Sequence, residues 1–181
     1  KHVFAGTKDM VVRFNFPHQV EAKDFDISLV GENDIKLYSV HPDEQVDVAC
    51  MYINGVTLEK QLGTVSCFVL GESTLSRSEM IENEITEGSL IYTLGFPAGS
   101  VGLQSKAPLC RMGCIARIKE PVNSSGFLLD TQNFPGSSGS PVINRLESNR
   151  LQGSKCFNKT CLIGIIAAYI PYKYVLVSKK T

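Results

Sequence analysis

The stretch Phe134-Pro-Gly-Ser-Ser-Gly-Ser-Pro-Val-Ile-Asn144 places three serines and two glycines between two prolines and then becomes apolar. Proline and glycine favour turns, whereas the apolar residues after Pro141 favour a strand. A serine in such a turn is either an ordinary surface residue or a nucleophile, and a serine hydroxyl attacks well only when a base removes its proton. A catalytic Ser138 therefore requires a histidine, and usually a carboxylate, elsewhere in the chain.

The order of the candidate residues along the chain restricts the fold. Three histidines occur, His2, His18 and His41, and all of them precede Ser138. Hydrolases built on a parallel sheet carry serine, acid and histidine in that order, so a catalytic serine here excludes that fold. The order histidine, acid, serine is the one found in peptidases made of two β-barrels.

Short apolar or alternating runs separated by Gly, Asn, Asp and Pro predict many short strands. These strands are Val11–Phe16, Asp26–Val30, Ile35–Val40, Val46–Ile53, Val65–Leu70, Leu90–Phe96, Leu109–Ile118, Phe127–Asp130, Pro141–Asn144 and Leu162–Ile170. Hardly any segment has a helical period, so we expect an all-β fold of two packed sandwiches or barrels. The polar segment 71–88 has little to bury and predicts an N-terminal barrel at 1–76, a linker at 77–88 and a C-terminal barrel at 89–181.

Composition restricts the partners. The chain has 18 Lys and Arg against 18 Asp and Glu, so its formal charge is zero, and we expect neither nucleic acid nor a membrane surface as partner. No window approaches the length of apolar residues that crosses a bilayer. For the six cysteines, a disulfide between Cys156 and Cys161 is conceivable, a zinc site lacks nearby ligands, and buried thiols are the best prediction for most of them.

The serine stretch resembles a known signature. Gly136-Ser-Ser-Gly-Ser-Pro141 is similar to Gly-x-Ser-Gly-Gly/Ser-Pro, which surrounds the nucleophile of trypsin-like (chymotrypsin-fold) serine peptidases, especially the bacterial branch that includes the glutamyl endopeptidases. Val46-Asp-Val-Ala49 resembles the segment that carries their triad acid. Lys1-His-Val3 resembles the end of the segment that carries their base.

The rest of the chain extends this resemblance. Leu94-Gly-Phe-Pro97 and the run 162–168 are similar to strands of the family's second barrel. Separations of 45 residues from His2 to Asp47 and 91 residues from Asp47 to Ser138 suit the family. The resemblance implies two six-stranded antiparallel barrels packed side by side, and it leads us to expect a chain trimmed at both ends, because relatives carry further strands on each side.

The resemblance also implies roles. Ser138 would be the nucleophile, His2 the base and Asp47 the acid that orients the base, and the backbone N–H groups of Gly136 and Ser138 would form the oxyanion hole. Hydrolysis of a peptide bond through an acyl-enzyme would then need neither metal nor cofactor. Asp47 has a plainer interpretation as a turn residue at a strand edge, and His41, only six residues before it, lies too close to fit the family pattern.

The resemblance predicts the substrate contacts less sharply. Gln132 stands where trypsin has the carboxylate that binds Lys or Arg, and Ile166 stands where glutamate-specific relatives have a histidine. We therefore expect an apolar or small residue before the scissile bond. Ala167-Ala168-Tyr169 would pair with the substrate backbone as an added strand, or would be ordinary core strand.

Two other functions are open. A catalytically inactive two-barrel module could bind extended peptides at the same strand edge, with a peptide or protein again as the partner. A phosphate-binding nest in the Gly-Ser loop is the weaker alternative, because the sequence shows neither a following helix nor a nearby lysine.

Overall fold

A computed structural model describes residues 4–15, 22–63, 65–96, 108–119, 126–146 and 157–170. Within these ranges the fold is mostly β, as predicted. The strands are β1 (Asp9–Asn15), β2 (Ala22–Ser28), β3 (Tyr38–Val40), β4 (Ala49–Met51), β5 (Leu90–Gly95), β6 (Leu109–Arg117), β7 (Leu128–Asp130), β8 (Pro141–Asn144) and β9 (Leu162–Ile165), and the helices are α1 (Gly55–Leu62) and α2 (Arg77–Glu82).

Strands β5 to β9 form one antiparallel sheet in the order β7-β6-β5-β8-β9. The sheet curls into half of a barrel, and shifts of register between Ile115 and Arg117 and between Val142 and Ile143 are the kind of irregularity that bends a sheet. The described residues do not complete the two six-stranded barrels that the resemblance implies. They are consistent with a chymotrypsin-like fold.

One face of this sheet carries the main core. Alternate residues of β5 are buried, as period-two geometry requires of a strand with one covered face. The fully or nearly fully buried cluster consists of Met80, Ile85, Ile91, Ile115, Ile118, Val142, Ile163 and Ile166.

The segment 71–88 contributes two of these residues, so the expectation that it has little to bury is wrong. Met80 is 0% exposed on α2 and Ile85 is 1% exposed just after it. The helix begins at a capping box, in which the Ser76 side chain accepts from the Glu79 N–H and the Glu79 carboxylate accepts from the Ser76 N–H. The segment is therefore part of the core that covers the five-stranded sheet, and the division at 1–76, 77–88 and 89–181 stays a prediction.

Two charged side chains fasten this segment to the end of β6. Arg77 donates to the carbonyls of Ile118 (2.7 Å) and Lys119 (2.5 Å), and the Glu87 carboxylate accepts from the N–H groups of the same two residues (2.9 Å each). The bonds from the N–H groups of Lys119 and Ile118 lower the pKa of Glu87 to about 2. Segment 71–88 is thus held to the end of β6 by four hydrogen bonds of its side chains as well as by the burial of Met80.

The first part of the chain forms two separate two-stranded ribbons. Strand β1 pairs with β2, and β3 pairs with β4 through Val40 opposite Ala49. The side chains of Phe14 and Phe25 pack edge to face with ring centroids 5.6 Å apart. Leu29 is the one buried hydrophobic residue that the described part of this region contains.

Three sequence-based expectations need correction. Residues 65–70 form no strand, because no strand among the described residues pairs with their backbone, and Leu70 is 89% exposed. The expectation of hardly any helix is wrong at α1. This helix begins at Asn54, whose side chain accepts from the Thr57 N–H, and ends at Gly63 with φ +81°. The buried-thiol prediction is also wrong for most of the described cysteines, since only Cys161 is buried and Cys50, Cys67 and Cys110 are exposed.

No helix among the described residues is long and apolar enough to cross a membrane. The described ranges also contain no group of three or more metal-ligating side chains.

Candidate active site

The serine loop connects β7 to β8 and consists of two consecutive turns. In the first, the N–H of Ser137 donates to the carbonyl of Phe134 (3.1 Å). Pro135 and Gly136 occupy the two central positions, and Gly136 has φ +92°. Proline followed by a residue with positive φ is the pattern of a type II turn, so the sequence itself favours this shape.

The second turn holds Ser138 at its tip. The N–H of Ser140 donates to the carbonyl of Ser137 (3.0 Å), and Gly139 has φ +83°. Two further hydrogen bonds join this turn to the residue after β9, from the Gly139 N–H to the Ile166 carbonyl (2.7 Å) and from the Ile166 N–H to the Ser140 carbonyl (2.9 Å). The serine loop is therefore hydrogen-bonded to Ile166 at both Gly139 and Ser140.

Only one of the three serines in this loop faces solvent. Ser137 is 6% exposed and Ser140 is 7% exposed, whereas Ser138 is exposed. The N–H groups of Gly136 and Ser138 donate to no other residue that the structure describes. An exposed hydroxyl beside two available backbone donors is the arrangement that acyl transfer at a carbonyl requires.

A cavity of about 10 Å³ lies beneath the loop. Its walls come from β5, from β6, from the serine loop and from the residue after β9, namely Thr93, Gly95, Leu109, Arg111, Asn133, Ser137, Ser140 and Ile166. Gly95 allows the close approach of Ser140, because a Cβ at position 95 would collide with the Ser140 hydroxyl.

The segment proposed for the substrate backbone follows β9. The strand ends at Ile165, so the prediction of strand through Ile170 is wrong for its second half. Ala167 is half-buried, Ala168 is exposed and Tyr169 is 62% exposed, and therefore these residues are not core strand. Their backbone groups make no hydrogen bond to the described part of the chain.

Asp47 lies in the connection between β3 and β4 and is half-buried. The N–H of His41 donates to the carbonyl of Val48 (3.1 Å), which continues the β3–β4 ladder into this connection. No hydrogen bond within the described residues joins Asp47 directly to Ser138.

His41 is the one histidine among the described residues, and its geometry differs from that of a triad base. Its Nδ1 accepts the N–H of Asp43 (3.1 Å). A triad histidine instead donates from Nδ1 to its acid while Nε2 takes the serine proton. His41 is therefore engaged in its own turn.

His2 and His18 lie outside the described residues. The nearest described neighbour of His2 in sequence is Phe4, whose ring packs edge to face on Tyr38 with centroids 5.1 Å apart. Tyr38 belongs to β3, the partner of the strand that follows Asp47. The chain shortly after His2 thus contacts the same ribbon that carries Asp47.

Sequence reasoning missed Arg111. This residue lies on β6 directly opposite Thr93, and it donates from Nη1 to the carbonyl of Gln132 (3.3 Å). The Gln132 side chain is exposed. A contact between residues 21 positions apart depends on the strand pairing, which no local pattern encodes.

The comparison with known families now has a structural context. A family model described as the trypsin-like peptidase domain matches residues 1–153, most of the chain, including the serine loop. The chain belongs to the trypsin-like peptidase domain family. Membership in this family indicates a serine hydrolase with protease activity, and the mostly β fold agrees with it. No curated protein and no solved structure shows a significant match to this trypsin-like chain.

Proposed function

We propose that the protein is a serine endopeptidase whose catalytic residues are Ser138, His2 and Asp47, and whose substrates are peptides or proteins. The observation that carries this proposal is the shape of the serine loop. Two glycine-dependent turns leave Ser138 exposed while the N–H groups of Gly136 and Ser138 have no described acceptor. The N–H groups of central turn residues are often left to water, so the combination supports catalysis because it occurs at the serine motif of a trypsin-like peptidase domain.

The proposed chemistry is that of a Ser-His-Asp triad. The Ser138 hydroxyl attacks the carbonyl carbon as His2 takes its proton, and the resulting oxyanion accepts hydrogen bonds from Gly136 and Ser138. His2 returns the proton to the leaving amine, which gives an acyl-enzyme. Water activated by His2 then hydrolyses the ester, while Asp47 keeps the imidazole in the tautomer with hydrogen on Nδ1.

The assignment of the base and the acid rests on two contacts. Phe4, two residues after His2 in the sequence, packs on Tyr38 of the β3–β4 ribbon, whose connection carries Asp47. The bond from the Asp43 N–H to Nδ1 of His41 disfavours the alternative histidine. Asp47 precedes an apolar strand at the base of the same ribbon, as the acid of this family does.

For specificity we propose a small or apolar residue before the scissile bond. Gln132 and Ile166 stand where relatives that prefer charged side chains have a carboxylate or a histidine, and neither residue supplies a charge. Ala167, Ala168 and Tyr169 would bind the substrate backbone as an added strand, because their backbone groups are unused by the described residues. The Gly136–Pro141 motif supports the bacterial branch that includes the glutamyl endopeptidases.

Labelling with a fluorophosphonate tests the nucleophile. We expect covalent modification of the protein at Ser138, loss of labelling in Ser138→Ala, and retention in the matched variant Ser137→Ala, which removes the adjacent buried hydroxyl. Cleavage of a peptide library should be lost in Ser138→Ala as well. Equal labelling of Ser138→Ala and the unmodified protein would contradict the proposal.

An inactive peptide-binding module is the second candidate, and the exposed, unpaired segment 167–169 is the observation that favours it. In that case the protein would bind extended peptides without being labelled. Proline at position 169 cannot donate a backbone hydrogen bond, so Tyr169→Pro should bind extended peptides more weakly than the unmodified protein. If neither protein binds peptides, this function is excluded.

A further inference from the structure

Arg111 is a cation that the proposed triad does not use. It lies within β6, on the strand pair that forms one wall of the cavity, and it is half-buried. No carboxylate among the described residues lies within ion-pair distance of it. A partly buried arginine without a carboxylate is held by neutral partners. The partners of Arg111 therefore indicate its role.

Both partners lie at the start of the serine loop. The Nη1 group donates to the carbonyl of Gln132 (3.3 Å), and the guanidinium carbon lies 4.5 Å from the centroid of the Phe134 ring. The second distance is within the range of a cation–π interaction. One side chain on a sheet strand therefore holds the loop by its backbone at one residue and by its side chain at another.

Phe134 is also the first residue of the turn that presents the oxyanion donor. Its carbonyl accepts from the Ser137 N–H (3.1 Å), with Pro135 and Gly136 between them. Turns of type I and type II share this hydrogen bond and differ in the orientation of the central peptide plane, which includes the Gly136 N–H. Pro135 and the positive φ of Gly136 favour the type II form. Where this turn then directs the Gly136 N–H depends on how the chain entering the turn is held against the sheet.

We propose that Arg111 is a positioning residue, which holds Gln132 and Phe134 so that the Gly136 N–H points toward the developing oxyanion. This role rests on the proposed function. It requires no contact between Arg111 and the substrate. A paired strand is the appropriate origin for such a group, because the sheet fixes the arginine, and Arg111 then supports the start of the loop while the bonds to Ile166 support its end.

The test compares three variants of the whole chain. Arg111→Gln removes the charge, and Arg111→Lys keeps a cation but not the planar guanidinium. Arg117→Gln makes the same change as the first at an exposed position of the same strand. We expect kcat to fall about 10- to 100-fold in Arg111→Gln while KM changes less than about twofold, since displacement of a catalytic donor acts on the transition state. Arg111→Lys should recover part of kcat, and Arg117→Gln should match the unmodified protein.

A second readout is independent of activity. Amide hydrogen exchange of peptides covering the serine loop should accelerate in Arg111→Gln and stay unchanged in Arg117→Gln, while exchange in β1 and β2 stays the same. This measurement decides the role of Arg111 even if the unmodified protein cleaves nothing, an outcome that would refute the proposed function separately. If Arg111→Gln does not fold, the Arg111→Lys variant is judged by the same two readouts.

An unchanged kcat together with unchanged loop exchange would overturn the positioning role. An equal fall of kcat in Arg111→Gln and Arg117→Gln would do the same, because it would indicate a general effect of lost charge. A rise in KM with constant kcat would indicate a substrate contact instead, and would also contradict the proposal.

Discussion

The two parts of the molecule that would supply the catalytic groups are built very differently. The serine loop is anchored to a five-stranded sheet with a cluster of eight buried apolar residues, whereas Asp47 lies on a two-stranded ribbon. Two-stranded ribbons are marginal on their own. Apolar side chains near this ribbon are also widely exposed, Tyr52 at 87% and Val56 at 62%. Ser138 and the N–H groups beside it are therefore supported by a core, whereas Asp47 lies in the connection of a two-stranded ribbon.

This difference predicts where catalysis is most easily lost. Changes in the sheet should disturb the serine loop through packing, and changes in the ribbons should leave the loop intact. Pairs of similar substitutions, one in each region, separate the two effects.

The largest difference in stability should come from the core. Ile91→Ala removes a side chain that is 0% exposed and should lower the free energy of unfolding by about 2–5 kcal/mol. Val11→Ala on β1, where the side chain is 58% exposed, should change it by less than about 0.5 kcal/mol. Urea denaturation measures both, and equal costs would mean that the ribbons bury as much as the sheet.

Gly95 should be the next most sensitive position. A Cβ there would meet the Ser140 hydroxyl and lie 3.2 Å from the Ser140 Cβ, so Gly95→Ala should cost about 1–3 kcal/mol and slow labelling of Ser138. Gly126→Ala is the control, because nothing lies within 4 Å of its Cβ. The cost should shrink when Ser140→Ala is added, and a cost that stays the same would show that another contact is responsible.

Gly139 and Gly6 form a pair with matched backbone strain. Both have positive φ, +83° and +74°, and a Cβ added at either position would have no atom within 4 Å. Each change to alanine should cost about 1–2 kcal/mol of stability, as a side chain in the left-handed region does. Only Gly139→Ala should slow the labelling of Ser138. A similar slowing in Gly6→Ala would remove the distinction between the two regions.

Removal of the Glu87 carboxylate should have the smallest effect on stability, and this effect should depend on pH. Its folded pKa of about 2 is below the ordinary value near 4.3 for an unfolded chain, so its contribution is present above about pH 4.3 and is lost as pH falls toward 2. The urea midpoint of the unmodified protein should therefore fall over this interval, and that of Glu87→Gln should fall less. Glu72→Gln, which makes the same change at an exposed residue, is the control. Parallel curves for the unmodified protein and Glu87→Gln would contradict the role of the two backbone bonds.

The sequence predicted the sheet better than the ribbons for a physical reason. Runs at β5, β6 and β8 alternate or are apolar and are bounded by turn residues, so burial and strand pairing agree there with local preference. The run 65–70 has a similar apolar composition but no strand beside it among the described residues. Composition alone does not distinguish these cases, because pairing is a property of the whole fold.

The helices and part of the site illustrate two further limits of prediction from the sequence. Ser76 and Glu79 are a capping-box pair, so the sequence held a usable signal for α2 that its polar composition obscured. The serine loop could be predicted from Pro135, Gly136 and Gly139, since those residues impose their turns locally. The role of Arg111 could not, because its contacts to Gln132 and Phe134 exist only after β6 has paired within the sheet.

The rate of phosphonylation of Ser138 tests the proposed triad most directly, with matched variants at the base and at the acid. His2→Ala and Asp47→Asn should each lower the second-order rate constant by about 10⁴-fold, the loss seen when a triad acid is changed to its amide. His41→Ala and Asp43→Asn, two changes in the same ribbon, should leave it within about threefold, as expected for groups outside the reaction. If His2→Ala reacts as fast as His41→Ala, Ser138 is not activated by the proposed triad.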